Sequence, residues 1–416
     1  MKYNAIHSCR SCGEAKLEAV FDLGNLASCG YFPREPGDEP PPTPLKILRC
    51  ENCGLVQLAH DYEPDALFRE TYGYRSGLNA SMVAHLKEIS AFARSKADLK
   101  AGDLVIDIGS NDGTLLGHYS DLPGLNRVGV DPTIAQFGHF YQDGITKIPD
   151  FFGSAVVDRL GHGTAKIVTS ISMFYDLPDP NGFVAAIRDV LADDGVWILE
   201  QSYLPLMVER LSFDTICHEH LEYYSLDTVV QLFARHGLRI ADITFNDVNG
   251  GSFRLAVVRT ASDMPTNPAV EEALDAEKEA GFGSAAPFDN FRTNVEQLKQ
   301  EVRAFFDDCK ANGKRVHGYA ASTKGNTTLQ YFEITADDCE MIADVNSEKW
   351  GAFTPGTHIP IVSEAVSRAA KPDYYFVLAW HFKDAFITRE AEFLCQGGRL
   401  VFPLPSFQIV AADTAQ

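Results

Sequence analysis

Two cysteine pairs, Cys9-Arg-Ser-Cys12 and Cys50-Glu-Asn-Cys53, stand ahead of a glycine-rich turn, Asp107-Ile-Gly109-Ser-Asn111-Asp-Gly113. The first pattern is metal chemistry. Zn²⁺ takes four thiolates in a tetrahedron and a CxxC turn delivers two of them without strain, so the spacing predicts one structural Zn²⁺ on Cys9, Cys12, Cys50 and Cys53. Protein would fill every ligand position, so the ion is expected to fold its module and not to catalyse. Alternatively, one pair is redox-active or incidental, with Cys29 a fifth, unassigned thiol.

The second pattern is nucleotide-cofactor chemistry. Gly109 permits a tight turn after a strand and Gly113 permits close approach of a helix, while Asn111 replaces the middle glycine of a dinucleotide loop. Asp107, at the strand end, suits a ligand bearing a positive ammonium or sulfonium group. The next strand ends in Asp131, where a carboxylate grips ribose hydroxyls, and Asp150-Phe151-Phe152 offers an acceptor and an aromatic wall for adenine. With Met173 beyond the following strand, these residues favour S-adenosylmethionine over NAD. The plain alternative makes Asp131 and Asp150 solvated loop acids.

Positioning these groups takes several elements. A chain of 416 residues with 45% hydrophobic content buries sizeable cores, and three stretches emerge. Residues 1–71, with their cysteine turns and Pro40-Pro41-Pro42, are too irregular for a long helix or a sheet core and predict a small metal-stapled module. Over residues 72–260, strand-like runs at Leu104 to Ile108, Arg127 to Val130, Lys166 to Ser170 and Val196 to Glu200 alternate with helix-length segments. That alternation predicts a doubly wound parallel sheet. Over residues 261–416, a helix carrying Phe291, Val295, Leu298, Val302 and Phe305 stops at Asn312-Gly313. Runs at Arg315 to Tyr319, Glu340 to Asp344, Tyr374 to Leu378 and Arg399 to Phe402 then predict a second α/β unit.

Composition excludes other classes. A formal charge of -21 argues against nucleic-acid binding, which draws its affinity from Lys and Arg. No apolar run approaches the length of a membrane span, and the polar start is unlike a signal peptide. Nine cysteines, four of them in knuckles, suit a reducing compartment, so the expected location is cytoplasmic.

In this acidic chain an anionic substrate requires a concentrated patch of donors. Gly318-Tyr-Ala-Ala-Ser-Thr-Lys-Gly-Asn-Thr327 follows a strand, so its backbone N–H groups with Ser322, Thr323 and Lys324 are expected to receive a diphosphate. An exposed, unengaged Lys324 is the alternative. Trp380-His381 lies beyond a strand at the edge where α/β sheets bind ligands, although core packing explains Trp380 equally well.

With these motifs in order, the chain resembles the sugar C-methyltransferases of deoxysugar biosynthesis. The resemblance runs through Cys50-Glu-Asn-Cys-Gly-Leu-Val-Gln57, Tyr72-Gly-Tyr-Arg-Ser-Gly77, Ile106 to Leu116, His218-Glu-His220, Tyr223-Tyr-Ser225, Asn249-Gly-Gly-Ser252 and Lys324-Gly-Asn326. It implies an N-terminal zinc module, a central class I Rossmann-like S-adenosylmethionine domain, and a C-terminal Rossmann-like domain that helps hold a nucleotide-linked 4-keto-6-deoxyhexose. It also implies methylation beside the C4 ketone, at C3 or sometimes C5, with His220 as general base. Glu219 takes a supporting role, Tyr72 or Tyr74 offers a phenol, and Asn249 and Asn326 join the substrate side. Family members can carry Tyr where this chain has Cys217.

Three alternatives accompany that expectation. Cys217-His218-Glu219-His220 supplies ligand types for a second metal. Methyl transfer to another acceptor remains, as does a zinc-ribbon interaction module that binds nucleotide without chemistry.

Overall fold

The computed structural model describes residues 2–62 and 74–412. Residues 2–62 fold around the cysteine turns as antiparallel strands. β1 (Tyr3–Ala5) pairs with β5 (His60–Tyr62), and β2 (Leu17–Leu26), β3 (Thr43–Cys50) and β4 (Val56–Leu58) form a continuous sheet. The expectation of a module without a sheet core is therefore corrected. Along β3 burial alternates, with Leu45 and Ile47 fully buried between half-exposed neighbours, which is the signature of a strand with one face on a core. Pro44 obscures the pattern, but it sits where the β2–β3 register is interrupted, a place that tolerates proline.

The middle of the chain builds a seven-stranded sheet. β6 (Leu104–Ile108), β7 (Asn126–Val130), β8 (Ile145–Ile148), β9 (Ala165–Ile171) and β10 (Leu191–Ser202) are parallel neighbours. β11 (Glu222–Tyr223) leaves this sheet and joins the N-terminal one beside β4. β12 (Leu238–Asn246) and β13 (Ser252–Arg259) complete the order β12-β13-β10-β9-β6-β7-β8, with β13 antiparallel to both neighbours. Every residue of β6 is buried, as a parallel strand covered on both faces requires. β10 begins earlier than the expected Val196, because Asp193-Asp194-Gly195 is an irregularity within the strand and not a turn before it.

A helix at Ala286–Ala311 buries Phe288, Phe291, Val295, Leu298, Val302, Phe305 and Phe306 along one stripe. It starts with Pro287 in its first turn and ends at Asn312, with Gly313 at φ 61°. Beyond it, β14 (Val316–Tyr319), β15 (Ile342–Asp344), β16 (Ile361–Ser363), β17 (Tyr374–Val377), β18 (Arg399–Phe402) and β19 (Gln408–Val410) form a sheet in the order β16-β15-β14-β17-β18-β19. All its neighbours are parallel except β18 and β19.

The cores cross the boundaries between these stretches. Val20, Phe21, Leu45 and Ile47 of the N-terminal sheet share one apolar cluster with Phe288, Phe291 and Tyr319 of the last unit. Cys9, Cys50, Cys53 and Leu55 share another with Ile106, Phe174 and Trp197 of the central sheet. Among the described residues no helix is long and apolar enough to cross a membrane.

Candidate active site

A cleft of about 1440 Å³ opens where the three parts meet. In the central sheet the strand order reverses between β9, β6 and β7, and ligands bind outside the carboxyl ends of strands at such a point. Asp107, Gly109, Asn111, Asp131, Asp150, Phe151 and Met173 all line the cleft there. Gly109 has φ 70°, and a Cβ on it would lie 2.9 Å from Met173 Cγ, so only glycine fits beneath that side chain. Gly113 does not line the cleft. Its φ is 76°, and a Cβ would meet the Tyr141 ring at 2.8 Å, which is the close packing expected of the last glycine.

The acids behave differently from one another. Asp107 is 3% exposed and accepts from Thr169 Oγ1 at 2.6 Å, and burial pushes its carboxyl up to about 7. Asp131 accepts from the Asn111 N–H at 2.8 Å and from the Thr133 N–H and hydroxyl, both at 2.6 Å. It is thus a loop-organising carboxylate that keeps spare acceptor capacity toward the cleft. Asp150 and Phe151 are exposed at the rim.

Asn111 does more than fill a glycine position. At φ 49° its side chain accepts from Ser76 N at 3.0 Å and donates to Tyr74 O at 3.1 Å, while Asp112 accepts from Gly77 N at 2.9 Å. The turn therefore clasps the Tyr74–Gly77 segment against the carboxyl edge of the central sheet. Tyr74 lines the cleft and is 46% exposed, and Tyr72 lies outside the described residues.

On the opposite wall the Cys217–His220 segment is a turn, closed by His220 N donating to Cys217 O at 3.2 Å. An extended segment would have separated Glu219 from His220; the turn instead brings Cys217, Glu219 and His220 to the cleft together. His218 points into the core, edge-on to Tyr62 with ring centroids 5.0 Å apart. Among the described residues, Cys217–His220 does not assemble a metal-binding group. His220 Nδ1 lies 2.7 Å from Thr215 O, and its ring packs on Tyr175 at 4.3 Å. Burial first, and then the nearby Lys324 charge, hold the imidazole down at about 4. Burial raises Glu219, whose Oε2 is enclosed without a hydrogen-bond partner, and Asp176 beside it is pushed well up for the same reason.

The third wall comes from the last unit. Ser322, Thr323, Lys324 and His381 line the cleft, as does Asn249 from the central domain. Ser322 caps the helix Thr323–Tyr331 by accepting from Gly325 N at 3.0 Å, and Lys324 Nζ donates to Asn249 O at 2.5 Å. Lys324 is therefore not an unengaged surface lysine. Two candidates sit elsewhere. Asn326 is fully buried and donates to Cys29 O at 2.7 Å, and Trp380 donates to Asp214 Oδ2 at 2.8 Å in the core. Neither residue lines the cleft, and each hydrogen bond ties distant segments of the cleft wall together, the Asn326 Oδ1 being buried without a partner.

Sequence reasoning missed Arg34, Lys349 and Asp176, which also line the cleft. Lys349 follows β15 and donates to Ala321 O at 2.7 Å; the signal available was its place after the second parallel strand of the unit. Arg34, in a loop of the N-terminal module, carried none.

The four knuckle sulfurs lie within 4.8 Å of one another, with Cys9–Cys53 and Cys12–Cys50 each 3.6 Å apart. Tetrahedral Zn–S bonds place sulfurs about 3.8 Å apart, so the residues fit the ion.

Three family profiles tile the chain: a zinc binding domain over residues 9–68, a methyltransferase domain over 75–243 and a C-methyltransferase C-terminal domain over 247–405. Over 413 residues the chain is 32% identical to the C-methyltransferase NovU of Streptomyces niveus, covering 98% of each. Among solved structures it is similar over 44% of its length to the mitomycin 7-O-methyltransferase MmcR (16% identity, 55% of that chain, TM-score 0.34). It is similar over 44% to geranyl diphosphate methyltransferase in complex with SAM (13% identity, 91% of that chain, TM-score 0.33).

Proposed function

Because the chain belongs to the C-methyltransferase family, we propose that it methylates the carbon beside the keto group, C-3, of a nucleotide-linked 4-keto-6-deoxyhexose, with His220 as base. The observation that carries the base assignment is the contact of His220 Nδ1 with Thr215 O at 2.7 Å. A carbonyl only accepts, so Nδ1 holds the hydrogen and Nε2 of the neutral ring keeps its lone pair. A ring held at about 4 is neutral at pH 7. Its basicity rises when an anionic substrate cancels the Lys324 charge, because that charge is the second cause of the depression.

Bound S-adenosylmethionine supplies an electrophilic methyl group on a sulfonium. Asp131, Phe151 and Met173 are the residues to hold its nucleoside and tail, and Asp107, once deprotonated, adds negative charge to that half of the cleft. Lys324, Ser322 and the first N–H groups of Thr323–Tyr331 receive the diphosphate. His220 Nε2 takes the proton from the carbon next to the ketone, and the electron pair moves toward the carbonyl oxygen. Glu219, whose carboxyl burial raises, lines the cleft beside His220 and in its protonated form donates a hydrogen bond to that oxygen. The carbon–methyl bond would form as the sulfonium–methyl bond breaks, with that bond's electron pair remaining on sulfur and S-adenosylhomocysteine leaving as a neutral thioether, and the proton leaves His220 for solvent. Zinc takes no part in these steps, because its four sites are filled by thiolates.

Replacing His220 by Asn keeps the size of the ring but not the basic nitrogen. Turnover of a keto-sugar nucleotide with labelled S-adenosylmethionine is expected to fall by about 10²–10⁴-fold. Solvent deuterium exchange at the sugar carbon should disappear with it. Undiminished turnover in that variant refutes the base assignment, and label found on oxygen or nitrogen refutes the carbon chemistry.

A further inference from the structure

The first cysteine knuckle is more than a metal clip, because Arg10 stands between two of its thiols with its side chain only 4% exposed. The guanidinium spends its donors on the strands that flank the catalytic turn. It reaches Leu58 O at 2.9 Å, His60 O at 3.1 Å, Asp61 Oδ1 at 2.5 and 3.0 Å and Leu221 O at 3.5 Å. Its Nε lies 3.7 Å from the carboxylate of Glu222, which is buried. Arg10 N also donates to Gln57 Oε1 at 3.0 Å.

Leu221 and Glu222 are the two residues after His220. Leu58 N donates to Leu221 O at 2.8 Å, and Glu222 and Tyr223 pair with Gln57 and Val56 in the N-terminal sheet. The segment leaving His220 is therefore an edge strand of the N-terminal sheet, although in sequence it lies within the methyltransferase domain. The other side of the knuckle is tied down too. Asn181 Nδ2 donates to Arg10 O and Ser11 O, both at 2.9 Å, and Arg235 donates to Ser11 O at 2.9 Å. Asn181 belongs to the helix Pro180–Val190, whose Gly182, Phe183 and Ala186 line the cofactor half of the cleft.

We propose that Arg10 is a positioning residue that locks the His220 turn to the metal-stapled knuckle, so that the zinc module sets where the imidazole stands in the cleft. This rests on His220 being the base. The physical basis is the planar fork of arginine: it binds several acceptors in one fixed orientation, which a lysine cannot reproduce. A displacement of about 1 Å of a reacting group costs about 10²-fold in rate, so a loosened strand one residue away is felt in turnover. Arg10 acts through Leu221 and Glu222 and touches no ligand.

Arg10→Met removes the fork and keeps the apolar stem. The expected result is one Zn²⁺ per chain by metal analysis and unchanged cofactor affinity by calorimetry. Turnover should fall by about 10–100-fold with little change in the KM of the sugar nucleotide. The acid limb of the pH–rate profile should move upward from about 4, as the loosened imidazole becomes better hydrated. Arg10→Lys should recover only part of the loss. Zinc-replete Arg10→Met with wild-type turnover and an unmoved limb overturns the proposal. If Arg10→Met does not fold or loses zinc, Asp61→Asn decides, because that side chain is 45% exposed and anchors the fork. A several-fold loss of turnover with zinc retained supports the proposal, and wild-type turnover overturns it. His220→Asn separates the two levels. If it is inactive while the Arg10 and Asp61 variants are normal, only the coupling fails; if it is active, the base assignment itself fails.

Discussion

The turn after β6 and the turn after β14 occupy the same topological place in two different sheets, and they differ in charge. Each strand lies between parallel neighbours, β7 and β9 in one sheet, β15 and β17 in the other. Each strand is followed closely by a backbone in the left-handed region, Gly109 at φ 70° and Ala320 at φ 68°. The first turn is then lined by Asp107, Asp112 and Asp131, and the second by Lys324 with Lys349 nearby. Backbone topology puts a ligand at the carboxyl edge of the sheet, whereas the side chains decide its sign. The division of charge suits the proposed pairing of a cationic cofactor with an anionic substrate in one cleft.

Reversing a charge on one wall is the strongest way to break this division. Lys324→Glu should raise the KM of a sugar nucleotide by about 100-fold or more, since a charge-assisted hydrogen bond worth about 1.5–3 kcal/mol becomes a repulsion. Cofactor affinity measured by calorimetry should stay as it was; an equal loss on both sides means that the walls are not independent. A smaller effect is expected from Gly109→Ala, whose Cβ meets Met173 at 2.9 Å in a backbone that disfavours it. Cofactor affinity should drop by about tenfold, with the substrate KM little altered.

The mildest probe is pH. With Asp107 raised to about 7, the carboxyl must lose its proton to attract a cation, so affinity is full above pH 7 and weakens below it. The slope should approach about tenfold per pH unit between 7 and 5. A flat profile by calorimetry over that range means that Asp107 does not answer the cofactor charge. On the other wall, burial holds His220 lower, at about 4, so the two limbs are separable.

Legibility in the sequence followed the range of the interactions. β6, β9, β14, β17 and β18 were readable because a strand buried on both faces is a short apolar run in any context. The knuckles were readable because ligand spacing is local. The N-terminal sheet was hidden because its fourth strand, β11, arrives from Glu222–Tyr223, far along the chain. The His-Glu-His segment is recognisable from its residue types but its turn is not: that turn puts Glu219 beside His220 and sends His218 to Tyr62. Trp380, beyond a strand end, leaves ligand contact and core packing equally open, and Asn326 is indicated by the family resemblance alone; their partners, Asp214 and Cys29, come from distant segments.

By itself the chain determined its chemistry: four thiols for a metal, a glycine turn flanked by acids, an imidazole between other titratable groups, and a lysine after a strand. Those identities and local spacings are properties of the covalent sequence. Only the tertiary structure decided which of them share a cleft and what holds them there. Arg10 and Leu221 show why. No local rule links a residue in a cysteine turn to one beside the base, because a hydrogen bond depends on distance in space, and sheet pairing alone sets that distance.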